Sequence, residues 1–310
     1  MSTRITLIHS ARTFARWLGV TFALVLAQMI GGMLTHALLA DTVSQAFLNV
    51  PFDWLGVITV AGLEAAAVYG LLTGLHVERK HQVWILFAFY WGTKYLQMSI
   101  EGAFFLNVWQ TTPVMSWSEV IFSVCYGTIT SLIFAPLAVW IVKAKPAEAR
   151  DPVSLPPLTP ALKIGAIYVP IYFLAGFVLA IPLSGSAFAG TYENLQLPTW
   201  IPLFQFARGV LWAAILWLII GNHTRDRDSR VTGAVVLGIV SSFQLLLPNP
   251  YMADQLRAAH LTEVLVSMAV FGWVAAEVFR RGAQEYAASV AASDSASAPS
   301  RGAVSGVSSI

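Results

Sequence analysis

Eight apolar stretches, each about as long as a bilayer is thick, constrain the fold of this 310-residue chain more than any other feature. A hydrocarbon core about 30 Å thick needs about 20 apolar residues in helical conformation. In lipid, a helix satisfies its own backbone hydrogen bonds, so such stretches predict an all-α, polytopic transmembrane helix bundle. The eight predicted spans cover residues 17–40, 54–75, 82–106, 119–142, 164–182, 201–220, 231–247 and 261–279.

Composition supports the same fold class and argues against several functions. Only 11% of the residues are charged, whereas an average soluble domain has about 25%. A net charge of +2 without a basic run gives no support for nucleic-acid binding. The single cysteine, Cys125, has no second cysteine to pair with, so neither a disulfide nor a cysteine-based metal motif is expected. The expected partners are the lipid bilayer and protons or a small solute; no metal or cofactor is predicted, and the oligomeric state is left open.

Connections between the spans divide the chain into predicted parts. A cytoplasmic N-terminus (1–16) precedes a first four-helix membrane half (17–142), and a second half (164–280) precedes a disordered, Ala- and Ser-rich tail (281–310). The segment between the halves (143–163) carries five prolines, which forbid a continuous helix: Pro146, Pro152, Pro156, Pro157 and Pro160. It is predicted to be a cytoplasmic linker.

Lysine and arginine residues predict the orientation. Fifteen of the 18 fall on the face that holds both termini and the linker, whereas Arg257 alone falls on the opposite face. An excess of positive charge marks the cytoplasmic side, so both termini are predicted to be cytoplasmic in a multi-pass protein of the cell membrane. This arrangement requires an even number of spans, which eight satisfies.

An offset of 144 residues brings the two halves into register. It aligns Glu64 with Arg208 and Glu119 with Glu263, and it overlays each of the first four spans on one of the last four. Duplication of a four-helix unit would produce two parallel halves. The residue identities are few, so a chance alignment of similar hairpins is the alternative.

Charged residues inside the predicted spans are the strongest candidates for function. Charge in hydrocarbon is costly, and such residues normally face the bundle interior and find partners. In the third span, Tyr90, Lys94, Gln97 and Glu101 share one helical face at spacings of four, three and four. Glu64 and Lys94 lie equally far from the turn that joins spans two and three. The hairpin is therefore predicted to bring them together as an ion pair.

A second group of candidates lies toward the outer face. Arg208 in the sixth span is a possible partner for Glu101, and Gln205 lies three residues before it on the same face. His260 and Glu263 are predicted to open the eighth span, as Glu119 opens the fourth. The carboxylates of Glu119 and Glu263 fit a role at helix starts, where the helix dipole favours negative charge. A proton shuttle at His260 and Glu263 is the functional alternative.

Three functions are compatible with this pattern. The first is a transporter or channel for protons or a small, perhaps anionic, solute, with a pathway through Glu64, Lys94, Gln97, Glu101, Arg208, His260 and Glu263. The second is a non-catalytic membrane subunit or sensor, whose charges only stabilise the fold. The third is a membrane enzyme acting on a lipid from the outer leaflet, with His260 and Glu263 as acid and base; the chain shows no hydrolase, zinc-protease or P-loop motif, so an enzyme is the weaker prediction.

Overall fold

The chain forms an all-helical bundle in a computed structural model. The structure describes residues 2–44, 48–108, 116–144, 151–153, 155–188, 196–223, 229–249 and 252–297, with side chains from residue 10 to 285 except 107 and 108. We number the helices in chain order as α1 (Ser2–Leu39), α2 (Trp54–Gly74), α3 (Arg79–Trp91), α4 (Gln97–Val108), α5 (Trp117–Val142), α6 (Leu158–Ala175), α7 (Ile181–Ser184), α8 (Ile201–Ile220), α9 (Ser229–Ser242) and α10 (Asp254–Ser297). Short 3₁₀ turns follow α1 (Ala40–Thr42) and α9 (Phe243–Leu246).

Seven helices in the described part of the chain are long and apolar enough to cross a membrane. They are Ser10–Thr42, Trp54–Gly74, Trp117–Val142, Leu158–Ser184, Ile201–Ile220, Ser229–Leu246 and Asp254–Glu285. At most half of each apolar window is buried by other helices. Large apolar side chains such as Phe22, Leu55 and Phe177 therefore face outward, as expected of a surface in contact with lipid.

The third predicted span is one continuous helix that is too polar to count among these seven. A π-helical turn at Gly92–Leu96 joins α3 to α4 without a break. Lys94, Gln97 and Glu101 lie in its middle and lower its hydropathy. A glycine is needed at position 92 because a Cβ there would lie 2.9 Å from the side chain of Ile215 on α8.

Both ends of the chain contain more helix than the sequence analysis predicted. The prediction of a disordered tail from residue 281 is wrong for residues 281–297, since α10 continues to Ser297; residues 298–310 lie outside the described part. The alanines in this segment favour helix strongly enough to extend it beyond the span. Helix α1 already begins at Ser2. Within the chain, α6 also begins earlier than predicted, at Leu158, because Pro160 falls in the first turn of α6, where proline is tolerated.

Helix neighbours follow the same order in the two parts of the chain. In the first part α1 packs against α2 and α5, and α3 packs against α5. In the second part α6 packs against α8 and α10, and α9 packs against α10. Between the two parts, α2 contacts α9 and α3 contacts α8. Lys94 and Glu101 lie on the continuous helix formed by α3, the π-helical turn and α4, and Arg208 lies on α8.

Glycines allow the helices of the second part to approach closely. A Cβ at Gly209 on α8 would lie 2.9 Å from the Cα atom of Gly165 on α6. A Cβ at Gly233 on α9 would lie 2.7 Å from the carbonyl oxygen of Gly272 on α10. Contacts between small residues of this kind are how membrane helices bring their backbones together.

The ends of α2 and α8 meet at the face that carries the linker. Leu75 and His223 form an isolated antiparallel bridge, and the backbone N–H of His76 donates to the carbonyl oxygen of Asn222 at 3.0 Å. The Asn222 amide also accepts from the N–H of Val153 at 2.9 Å and donates to its carbonyl oxygen at 3.2 Å. Val153 of the linker is thus bonded to the end of α8.

Candidate functional site

Glu64, Lys94 and Tyr90 form a buried cluster between α2 and α3. Lys94 Nζ lies 2.5 Å from Glu64 Oε1, and the Tyr90 hydroxyl donates to Glu64 Oε2 at 2.5 Å. All three side chains are within 5% of complete burial. This confirms the ion pair predicted from equal depth on the hairpin. The carboxylate receives a donor on each oxygen, so its charge is compensated without water.

A second pair joins α4 to α8. The Arg208 guanidinium binds the Glu101 carboxylate in a bidentate manner, with Nη1–Oε1 at 3.0 Å and Nη2–Oε2 at 3.1 Å. Nη1 also donates to Gln205 Oε1 at 3.0 Å, which confirms the predicted neighbour on the same helix face. Paired donors of this geometry are stronger and more directional than a single charged contact.

Gln97 makes two further hydrogen bonds to Arg208. Its Nε2 donates to the backbone carbonyl of Arg208 at 3.3 Å, and its Oε1 accepts from Arg208 Nε at 3.4 Å. Its spacing placed Gln97 on the polar face but did not identify this partner, because α4 and α8 are far apart in the chain. The ring of Phe204, one turn before Arg208, lies 5.7 Å from the guanidinium carbon.

The four polar residues of the third span all contact protein groups: Tyr90, Lys94 and Gln97 are buried, and Glu101 is half-buried, as are Leu96 and Ala103 on the opposite face. They do not all face the same neighbour, however. Tyr90 and Lys94 point to Glu64 on α2, whereas Gln97 and Glu101 point to Arg208 on α8. The π-helical turn contains Lys94 and ends just before Gln97, so it changes the angular relation between the two sets that a regular α-helix would impose. No residue pattern in the sequence indicates this turn.

His260 and Glu263 lie beside each other but not where the sequence analysis placed them. His260 Nδ1 is 2.6 Å from Glu263 Oε2, and both side chains are largely buried. Helix α10 begins at Asp254, so His260 lies in its second turn and Glu263 in its third, and the prediction that they open the helix is wrong.

Glu119 is a helix-start residue, as predicted. With Ser116 it forms a capping box at the start of α5, in which each side chain binds the backbone N–H of the other. Glu119 Oε1 also accepts from the Ser44 hydroxyl at 2.6 Å, which ties the end of α1 to the start of α5. This residue therefore has a structural role that accounts for its burial.

A larger and a smaller surface cavity lie in the described part of the chain, and neither of these two is lined by Lys94, Arg208 or His260. The larger, of about 660 Å³, lies between α4, the start of α5 and the segment that leads into α8. The smaller, of about 420 Å³, lies along α1 beside His36. The charged clusters are thus packed in the interior, and the larger cavity approaches one of them from the side of Phe204.

In the part of the chain that is described, no three His, Cys, Asp or Glu side chains converge to hold a metal ion. Helix content, apolar outward surfaces and buried ion pairs define a class: a multi-pass helical membrane protein with a charged interior. Comparison with family models, with curated proteins and with solved structures finds no match to this chain. The function is therefore inferred from the site alone.

Proposed function

We propose that this protein is a transporter that moves protons or a small anionic solute across the cell membrane. The observation that carries the proposal is the position of the Glu101–Arg208 pair. Glu101 belongs to the first set of four long helices and Arg208 to the second, and the two residues hold these sets together through a bidentate bond. A solute or proton that competes for either charge would weaken this bond and favour separation of the two sets.

The proposed transporter has eight spans in two parallel halves. The continuous helix from Arg79 to Val108 is the third span in chain order and brings the count from seven to eight, since its polar residues face protein and not lipid. The matching order of helix neighbours in the two halves, with the 144-residue offset, supports duplication. Under the exchange of halves, the α2–α9 contact corresponds to the α8–α3 contact, and both are present. Transporters built from repeats commonly bind their substrates at this kind of interface.

We place both termini and the linker in the cytoplasm, because lysine and arginine residues concentrate there. The bridge between Leu75 and His223 then closes the cytoplasmic end of the interface between the halves. The 660 Å³ cavity opens on the opposite, outer side. This combination is what an outward-facing state of a transporter requires.

Chemistry at the site favours protons or anions over cations. A guanidinium in a low-dielectric interior attracts anions and remains charged at all physiological pH values. The Glu64 carboxylate, the Tyr90 hydroxyl and the Lys94 ammonium form a hydrogen-bonded chain of the kind along which a proton can pass. Protonation of Glu64 would remove the charge that holds Lys94.

Reconstitution into liposomes tests the proposal. A potassium gradient with valinomycin sets the membrane potential, an internal pH dye reports proton flux, and labelled acetate and chloride report anion flux. We expect flux above that of empty vesicles for the parent protein. The double variant Glu101→Gln/Arg208→Gln should fold but lose flux, because it keeps polar groups of similar shape and removes both charges.

A matched control is available at the surface. Glu78 and Lys80 also form an ion pair, with Nζ–Oε2 at 2.9 Å, but both are exposed. The double variant Glu78→Gln/Lys80→Gln makes the same change in charge and should transport like the parent. Parent flux no faster than empty vesicles for protons, acetate and chloride would refute the proposal, as would full flux in the Glu101/Arg208 double variant.

A non-catalytic subunit or sensor is the second candidate. The observation that favours it is the complete pairing of the interior charges, together with the absence of Lys94 and Arg208 from the walls of both cavities described above. In that case the charges would fix helix packing only. A well-folded protein without flux, whose charge-neutral double variants are indistinguishable from the parent, would support this candidate.

A further inference from the structure

The larger cavity is a groove with an aromatic wall at the outer end of the bundle. Its volume is about 660 Å³, within the range of about 300–1,000 Å³ that is usual for small-molecule sites. Helix α4, Trp117 at the start of α5, the 196–200 segment and Phe204 line it. Most of these side chains are apolar, and the groove therefore suits a ligand with an apolar body.

Stacked rings close the inner side of this groove. Phe104 of α4 and Phe204 of α8 lie nearly parallel, with centroids 4.1 Å apart and an interplanar angle of 13°. Trp200 meets the edge of Phe104 at a centroid distance of 5.3 Å. The stack contains one ring from each of the two helix sets, so it would open if the two sets moved apart.

A single ring separates the groove from the buried arginine. Phe204 lines the groove, and the same ring lies 5.7 Å from the guanidinium carbon of Arg208. Phe104 and Glu101 are likewise less than one turn apart on α4. The Glu101 side chain is 23% exposed, whereas Arg208 is 4% exposed. Glu101 is therefore the member of the pair that can leave while the guanidinium stays in place.

We infer that the groove admits an organic anion with one carboxylate and a compact apolar body, and that this carboxylate replaces Glu101 on Arg208. This inference rests on the proposed function and specifies the substrate class of the same site. The bidentate Glu101–Arg208 bond shows how a carboxylate fits the guanidinium, since Glu101 itself presents the same chemical group. The Phe104–Phe204 stack is the gate between groove and arginine.

Charge decides between this ligand and its competitors. An organic cation of the same shape would meet an uncompensated guanidinium once Glu101 moved. A neutral molecule could occupy the groove but could not displace Glu101. A bilayer acyl chain could also lie against the aromatic wall, and it would do so without any dependence on Arg208. Anion selectivity is therefore the property that separates the inference from simple apolar binding.

Calorimetric titration of the full chain in nanodiscs of neutral lipid tests this. The probes are phenylacetate, phenethylamine and 2-phenylethanol, which share one apolar body and differ in charge. We expect phenylacetate to bind at least about tenfold more tightly than the other two, a difference of about 1.4 kcal/mol. The Glu101→Gln/Arg208→Gln variant should lose this preference, and Trp200→Leu should weaken phenylacetate binding.

Trp140→Leu is the matched control, because Trp140 is an exposed tryptophan at the opposite end of α5 from the groove. It should bind phenylacetate like the parent. Equal binding of all three probes, or a preference that persists in the double variant, would overturn the inference. Absence of phenylacetate binding in a protein that still conducts protons would also overturn it but would leave the proposed transport function standing. Binding without any flux would refute transport instead.

Discussion

A buried carboxylate and a buried ammonium that lie 2.5 Å apart stabilise the fold mainly because either charge, buried without the other, would lower the free energy of unfolding. Glu64 and Lys94 are in this position. Glu64→Gln or Lys94→Met alone should therefore destabilise the protein by about 3–5 kcal/mol, the cost of one unpaired buried charge. The double variant should recover much of the loss, because neither charge remains. Thermal unfolding of the four proteins forms a double-mutant cycle that measures the coupling.

The exposed pair of Glu78 and Lys80 provides the control for this cycle. Lys80 holds the pKa of the Glu78 carboxyl below its usual range, yet both side chains are in contact with water. Single substitutions at these positions should leave the unfolding temperature unchanged, because water solvates the charge that remains. Single Glu64 and Lys94 variants that unfold at the parent temperature would contradict the prediction of a buried pair.

Tyr90 adds a second donor to the same carboxylate. The Tyr90→Phe variant keeps the ring, which packs against Phe134 at 5.0 Å, and removes the hydroxyl that donates to Glu64. A hydrogen bond to a charged group contributes about 1.5–3 kcal/mol, so we expect destabilisation of that order. The effect should be much smaller in the Glu64→Gln/Lys94→Met background. Equal effects in both backgrounds would mean that the hydroxyl does not act through the carboxylate.

Sequence reasoning identified interior residues better than it identified their partners. The Glu64–Lys94 pair follows from a single hairpin, where residue number gives depth directly. The Glu101–Arg208 pair joins helices far apart in the chain, and only similar outer depth suggested it. Neither depth on a hairpin nor similar outer depth identified Gln97 and Phe204 as partners of Arg208. Lateral packing between helices far apart in the chain has no signature in the local sequence pattern.

At the scale of helices, hydropathy located the spans but missed features that depend on other physics. The bounds of α8 match its predicted span. Those of α2, and of α9 together with the 3₁₀ turn that follows it, differ from their predicted spans by at most two residues. The π-helical turn at Gly92–Leu96 was not predictable, because no residue type demands it. Hydropathy does not predict the extension of α10 to Ser297, because this segment is too polar for a membrane span, whereas its alanines favour helix in water as well.

Two glycines of α2 make a matched test of helix packing. Gly70 and Gly74 form a GxxxG pair, but their surroundings differ. A Cβ at Gly74 would overlap the buried His223 ring, whereas a Cβ at Gly70 would meet nothing within 4 Å. Gly74→Ala should lower stability by about 1–3 kcal/mol through overpacking, and Gly70→Ala should not lower it. If the motif instead formed a dimer face, both Gly70→Ala and Gly74→Ala would reduce dimer formation on native gels, and Gly74→Ala would leave the stability of the monomer unchanged.

At the scale of the whole molecule, the interface between the two helix sets contains everything the proposed function needs. It holds the Glu101–Arg208 bond, the Phe104–Phe204 stack on its outer side and the Leu75–His223 bridge at its other end. Movement at this interface would therefore change the exposure of both charges and rings together. The orientation of this interface depends on the number of spans. The length and hydropathy of the described helices give seven, whereas the positive charge on the face that holds both termini requires an even number, which the proposed eight satisfies.

Cysteine labelling from outside separates these two counts. We expect the seven-helix count to fail because the helix from Arg79 to Val108 turns its charges inward and can cross the membrane with α8 beside it. With a cytoplasmic N-terminus and eight spans, Val153 is inside and Thr199 is outside. If α3 and α4 did not cross, every later segment would reverse, so Val153 would be outside and Thr199 inside. Both side chains are exposed, which makes them accessible to a maleimide reagent.

The experiment uses whole cells and a membrane-impermeant maleimide. Cys125 is first replaced by serine, so that each variant carries one thiol. Thr199→Cys should react in intact cells, and Val153→Cys should react only after the membrane is permeabilised. The control is Lys80→Cys. Lys80 lies at the start of α3, before the segment whose crossing is in question, so it is inside under either count and should be protected in intact cells. Labelling of Val153→Cys from outside, with protection of Thr199→Cys, would establish seven crossings and would remove the outward-facing interpretation of the groove.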